Sequence, residues 1–132
     1  MSRIHTPSDH AFATAPDMDK TTTGDGTGVN CLGYSNALIT ITASTSGGCT
    51  VACVLEESVD NNTFTTVGTI GTIPASQSKY ALTASVNLKK RAQYLRVTYT
   101  IAGAVTDGAN AVFHLFNPVQ LPVVQTNGTV YL

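Results

Sequence analysis

The 132-residue sequence predicts an all-β fold, a jelly roll or β-sandwich of about six to eight antiparallel strands preceded by an extended N-terminal arm. Three observations predict it. Apolar residues recur with a period of two from Val29 onward, as one buried face of a strand requires. No stretch keeps helical spacing over a dozen residues. Threonine is abundant, 21 of the 132 residues, and its β-branched side chain suits a pleated, half-buried surface that carries no charge.

Residues 1–28 read as the arm. Asp9, Asp17, Asp19, Asp25, Pro7, Pro16 and the run from Thr21 to Gly28 give loop character with little apolar periodicity. Residues 29–132 read as the domain. In Ala37–Ala43, Ile39, Ile41 and Ala43 share one face, with Thr40 and Thr42 on the other. A turn at Ser44–Gly48 leads to a strand whose inner face is Cys49, Val51, Cys53 and Leu55. Asp60-Asn61-Asn62 is a turn signal, followed by a short strand at Phe64–Val67. Ile70–Pro74 is expected as a loop or short edge strand, because proline cannot donate to a central ladder. Tyr80–Leu88 places Tyr80, Leu82, Ala84, Val86 and Leu88 together, and Tyr94–Ile101 turns Leu95, Val97, Tyr99 and Ile101 inward. Ala111–Phe116 completes the core with His114 outward, and Asn127-Gly128 signals a hairpin within Val123–Leu132.

Length and composition bound the function. A chain of this size makes one domain with a real core. Charged residues are only 11%, against about 25% in an ordinary soluble domain, which suggests that much of the surface faces other protein. A net charge of −1 gives no electrostatic case for nucleic acid, and no run of 18 apolar residues offers a membrane helix. The first residues lack the apolar stretch of a secretion signal. Cys49 and Cys53 would lie about 13 Å apart on one strand, too far for a disulfide. A pair with Cys31 stays open, though the odd count favours free thiols in a reducing compartment.

The catalytic inventory is thin, and no catalytic, cofactor or metal residue is expected. His5 and His10 lie in the arm; Asp107 and a serine could complete a triad only without a nucleophile elbow to hold them. Glu56 and Glu57 are strand neighbours and point to opposite faces, so they cannot flank one glycosidic bond. Asp17-Met18-Asp19 starts like a calcium loop but lacks its glycine and closing glutamate. Gly24, Gly26 and Gly28 neither follow a strand nor open a helix, so they form no phosphate loop. The residues left for partner binding are the basic group Lys89, Lys90 and Arg91 with Arg96 nearby, and Asp17 and Asp19 of the arm.

Two strings carry a more specific signal. Val51–Val67 resembles a "strand, E-x-S-x-D, turn, F-x-x-V" pattern, here Glu56, Ser58, Asp60, Phe64 and Val67. Tyr94-Leu95-Arg96-Val97-Thr98-Tyr99 resembles the "Y-L-R-V-x-Y" strand that follows about thirty residues later. Over roughly residues 29–120 the chain is thus similar to tailed-phage capsid decoration or cement proteins, including the family of the Bordetella phage cement protein. The resemblance implies a virion structural protein, assembled in the host cytoplasm, bound to the outside of a shell of major capsid protein. Dimers or trimers would clamp capsomers against internal pressure. The alternative is a carbohydrate-binding β-sandwich on a virion surface, although the chain has no tryptophan platform for sugar rings.

Overall fold

Alternation of apolar and polar residues can be satisfied only if each strand turns one face toward a second layer. In the computed structural model the strands do this as two antiparallel sheets packed face to face. The structure describes residues 13–78, 80–103 and 108–118, with side chains over 21–78, 80–103 and 108–117. The hairpin expected in Val123–Leu132 lies outside the described residues, as do His5, His10 and Asp107.

Among the described residues nine strands follow in order: β1 Ala13–Lys20, β2 Gly24–Asp25, β3 Val29–Asn30, β4 Tyr34–Ala43, β5 Thr50–Ser58, β6 Thr65–Ile73, β7 Tyr80–Asn87, β8 Tyr94–Ala102 and β9 Ala109–Pro118. The first sheet has the order β1-β9-β4-β7; the second has the order β2-β8-β5-β6, with β3 also paired to β8. Taking β2 and β3 as one interrupted strand, the chain alternates between sheets as an eight-stranded jelly roll does. Only β5 and β6 are joined as a hairpin within one sheet; each other connection among the described elements crosses between layers. The boundary expected at residue 28 coincides with no break in the sheets. Ala13–Lys20 pairs with β9, and Gly24–Asp25 pairs with β8.

Between the layers, Ala37, Ile39, Ile41, Ala111, Phe113 and Leu115 of the first sheet face Val51, Cys53, Leu55, Leu95, Val97 and Tyr99 of the second, all buried. Each fully buried large aliphatic or aromatic residue here contributes about 1.5–3 kcal/mol. The inward faces expected for β4, β5 and β8 are those found, and His114 lies on the opposite face from buried Phe113 and Leu115. The three cysteines are free and buried; desolvation pushes the thiol of Cys31 up to about 12 and that of Cys53 up to about 11.

Three details depart from the sequence expectation. β6 is a nine-residue edge strand through Ile73, not a short one, and Pro74 falls just past its end. Its pairing with β5 slips twice, at Cys53/Val54 and at Leu55/Glu56, leaving Ile70 and Val67 as the extra, bulged residues. β7 ends at Asn87, because the Asn87 side chain accepts a hydrogen bond from Lys89 N and starts one 3-10 turn, Leu88–Lys90. Tyr80, expected among the inner residues, remains 38% exposed at the strand's beginning.

The sandwich has two ends. At one, Thr45 is wholly buried and ties the 44–48 turn to the 74–77 turn. Its hydroxyl donates to Pro74 O at 2.5 Å and accepts from Gln77 N at 3.0 Å, while its N–H donates to Gln77 O at 2.7 Å. Gly103, with φ +93°, lies at the same end. A Cβ there would stand 3.1 Å from Cys49 Cα, so both conformation and space demand glycine. Thr45→Val is expected to destabilise by about 1–3 kcal/mol through the polar groups it leaves unpaired. Gly103→Ala is expected to cost more than Gly33→Ala, whose added methyl meets nothing within 4 Å. Urea denaturation of the three variants checks both.

Candidate functional site

The two motif strings become neighbours when β5 pairs with β8. That ladder sets Glu56 opposite Arg96 and Ser58 opposite Tyr94, with Thr98 two residues along the same outer face. Alternation places Leu55 and Val97 inward, so Glu56, Arg96 and Thr98 have to point away from the core.

On that face Arg96 is the hub. Its Nε donates to Glu56 Oε1 at 2.8 Å, and its Nη1 lies 3.2 Å from Asp25 Oδ2. The guanidinium stacks over Phe64, 3.9 Å from the ring centroid. Thr98 Oγ1 donates to Glu56 Oε1 at 2.6 Å, with Asp25 Oδ1 3.3 Å from the same hydroxyl. The Thr98 hydroxyl, followed by Arg96, holds the Glu56 carboxyl below its usual range despite partial burial. Phe64 covers Arg96 on the outer face, while Val67 packs against the core. Sequence reasoning missed Asp25, whose position follows from the stitching of 23–26 onto β8. The Thr23 hydroxyl accepts from Ile101 N at 2.8 Å, and Gly26 N donates to Val97 O at 2.7 Å.

Ser58 and Asp60 build the adjoining turn. Ser58 Oγ donates to Asp60 Oδ1 at 2.8 Å, and the same carboxylate oxygen accepts from Asn62 N and Thr63 N, each at 2.9 Å. The backbone donor of Thr63, then the Ser58 hydroxyl and Asn62 N, lower the Asp60 carboxyl to about 2. Asn61 can therefore take the left-handed conformation, φ 58°, that reverses the chain. At this end of the sandwich the 31–33, 59–64 and 88–93 loops lie together. Glu57 Oε2 accepts from Ala92 N at 2.8 Å and Glu57 Oε1 lies 3.5 Å from Arg91 Nη1, so β5 is tied to the loop before β8. Leu32 and Val59 project from this end, 69% and 79% exposed.

The basic group thus divides. Lys89 and Lys90 are exposed and hold no ion pair among the described residues, whereas Arg91 and Arg96 are engaged by Glu57 and by Glu56 with Asp25. Asp17 and Asp19 lie in β1, where Asp17 aligns with Ala111 and the register shifts before Lys20. Among the described residues no group of three or more His, Cys, Asp or Glu could hold a metal ion. The face is a surface braced by ion pairs, flanked by two exposed lysines and two projecting aliphatic residues.

A family model matches residues 10–113, a span that includes both motif strings and every described strand up to the middle of β9. The chain belongs to the Bbp16 family. Bbp16 is the Bordetella phage cement protein family, and membership assigns the chain broadly to capsid cement proteins, which are structural rather than catalytic. Among solved structures, the PBSX exported protein XepA matches with a TM-score of 0.56 and 20% identity over 100% of this chain and 45% of XepA. The SPBc2 prophage-derived protein YomS matches with a TM-score of 0.50 and 5% identity over 88% of this chain and 100% of YomS. At these identities the two support the fold alone, and the chain spans less than half of XepA. Comparison with curated protein sequences returned no match.

Arg96→Ala is expected to lower stability by about 1–2 kcal/mol, because it leaves the partly buried Glu56 without its cation and Phe64 without its cover. Arg96→Lys should recover less than half of that, since a lysine cannot span both carboxylates while lying flat on a ring. Chemical denaturation reads both. The Asp60 carboxyl is lowered in the folded chain, so its stabilisation is present above the ordinary carboxylate value near 3.8 and is lost as pH falls toward 2. Asp60→Asn should flatten the stability profile in that window, measured by thermal melts from pH 5 to pH 2.

Proposed function

We propose that this Bbp16-family chain is a capsid cement protein that binds the exterior of a shell of major capsid protein and stabilises it against internal pressure. The match over residues 10–113 carries this reading. The 11% charged content supports it: a domain with so few ions is adapted to face protein over much of its surface. Copies act as a dimer or trimer, assembled in the host cytoplasm and located on the virion, so that modest contacts are multiplied across the lattice.

The end of the sandwich that bears Leu32, Val59, Lys89 and Lys90 is the surface we assign to the capsid. Two projecting aliphatic residues supply apolar contact, and the two lysines give orientation against an acidic shell surface. Arg91 and Arg96 act behind that surface by bracing the loops that carry it, whereas Asp17 aligns with Ala111 and, through it, Ile41, toward the opposite end of the sandwich.

Lys89→Glu combined with Lys90→Glu is expected to weaken binding to shells stripped of cement protein by roughly tenfold, about 1.4 kcal/mol, with less salt dependence than the parent. Val59→Asp should weaken it comparably. Co-sedimentation with shells measures all three. A parent chain that leaves the shells untouched at every concentration would overturn the proposal.

A further inference from the structure

A sheet edge presents unpaired backbone donors and acceptors, and folded proteins usually guard such edges against pairing with other chains. Among the described residues this sandwich has four edges. β1 contains Pro16, Asp17, Asp19 and Lys20 and a register shift. The edge opposite β6 is split into the two-residue strands β2 and β3. β6 carries the two bulges at Val67 and Ile70. β7 has none of these devices. Its sequence, Tyr80-Ala81-Leu82-Thr83-Ala84-Ser85-Val86-Asn87, holds no charge, no proline and no glycine, and it pairs with β4 without a slip from Tyr80 to Asn87.

Below this edge the sandwich is open. A groove of about 440 Å³ runs between β6 and β7, lined by Leu55, Val67, Ile70, Ala84, Val86 and Lys90 among others. The inward residues Leu82 and Ala84 are in consequence only half-buried, and Tyr80 at the head of the strand is 38% exposed.

We propose that β7 is the strand through which two copies of this chain join, antiparallel about a two-fold axis, to make one continuous eight-stranded sheet. The inference rests on the homo-oligomer of the proposed function and names its surface. A two-fold sets the residue on the axis against its own copy and the residues around it against one another, so a charge on the axis would meet a like charge from the second copy. β7 meets that condition by having none. An axis through Thr83 keeps inner with inner and outer with outer: Leu82 falls opposite Ala84 of the second copy, and Tyr80 opposite its Val86. Side chains from the added strand then roof the groove and complete the burial of Leu82 and Ala84. The bulges of β6 keep the lower edges from pairing, so the junction is confined to one sheet.

Analytical ultracentrifugation of the full chain should show a dimer, and Thr83→Lys, which places two ammonium groups at the axis on an exposed position, should raise its dissociation constant at least tenfold. Thr83→Cys should oxidise to a covalent dimer, whereas Thr72→Cys on β6 should not; the native thiols are buried and silent. Hydrogen exchange of the unmodified chain should slow at β7 amides as concentration rises, with β6 unchanged. A chain that stays monomeric, or a dimer indifferent to Thr83→Lys with β7 exchange independent of concentration, would overturn the assignment. Shell binding is read separately: a parent chain that dimerises through β7 but ignores shells refutes the cement reading and leaves this one standing, and the converse result does the opposite.

Discussion

Everything in this molecule depends on the seam between two sheets whose inner faces are apolar and whose outer faces are polar, with their charges gathered around Arg96. Because side chains alternate with a period of two, a slip of one residue in any central strand would turn its whole core set outward. Cys53 beside Tyr99 and Leu55 beside Val97 in one sheet, with Ile39 beside Phe113 in the other, hold the central registers by burial alone. The outer network then needs no separate specification. Once Leu55 and Val97 are inside, Glu56 and Arg96 must meet outside.

The sequence was most legible where burial decides. The inner faces of β4, β5 and β8 can be written down from alternation, because Ile, Leu, Val and Tyr at every second position have one place to go. It was least legible where a long-range polar contact decides. Nothing near Thr45 distinguishes it from the twenty other threonines, yet its hydroxyl closes an end of the sandwich through Pro74 and Gln77, some thirty residues away. Asp25 likewise reads as loop until Thr23 and Gly26 are seen to dock on β8. The reach of β6 was hidden for a different reason: its glycines, bulges and trailing proline look like a loop, although they are how an edge strand is kept irregular.

The candidate surface shows the same division. Four basic residues close together in sequence read as one patch, but the sheet separates them by function. Alternation and pairing deliver Arg96 to two carboxylates and Arg91 to a third, while the 3-10 turn capped by Asn87 leaves Lys89 and Lys90 outside any ion pair among the described residues. A lysine ammonium on a flexible stem suits a long-range, salt-sensitive role, and a stacked, doubly engaged guanidinium suits bracing. The residue types chosen at each position match the two tasks.

The buried thiols have a consequence for durability. In the role proposed here, a particle is built where glutathione keeps cysteine reduced and then spends its life in aerated surroundings, with many copies crowded on one shell. Only an accessible thiolate can be oxidised or form a disulfide with a neighbour. Cys31, Cys49 and Cys53 sit inside the sandwich, and burial raises the thiols of Cys31 and Cys53 far above neutral pH. Such a chain can pass from one chemical climate to the other without ageing into random cross-links.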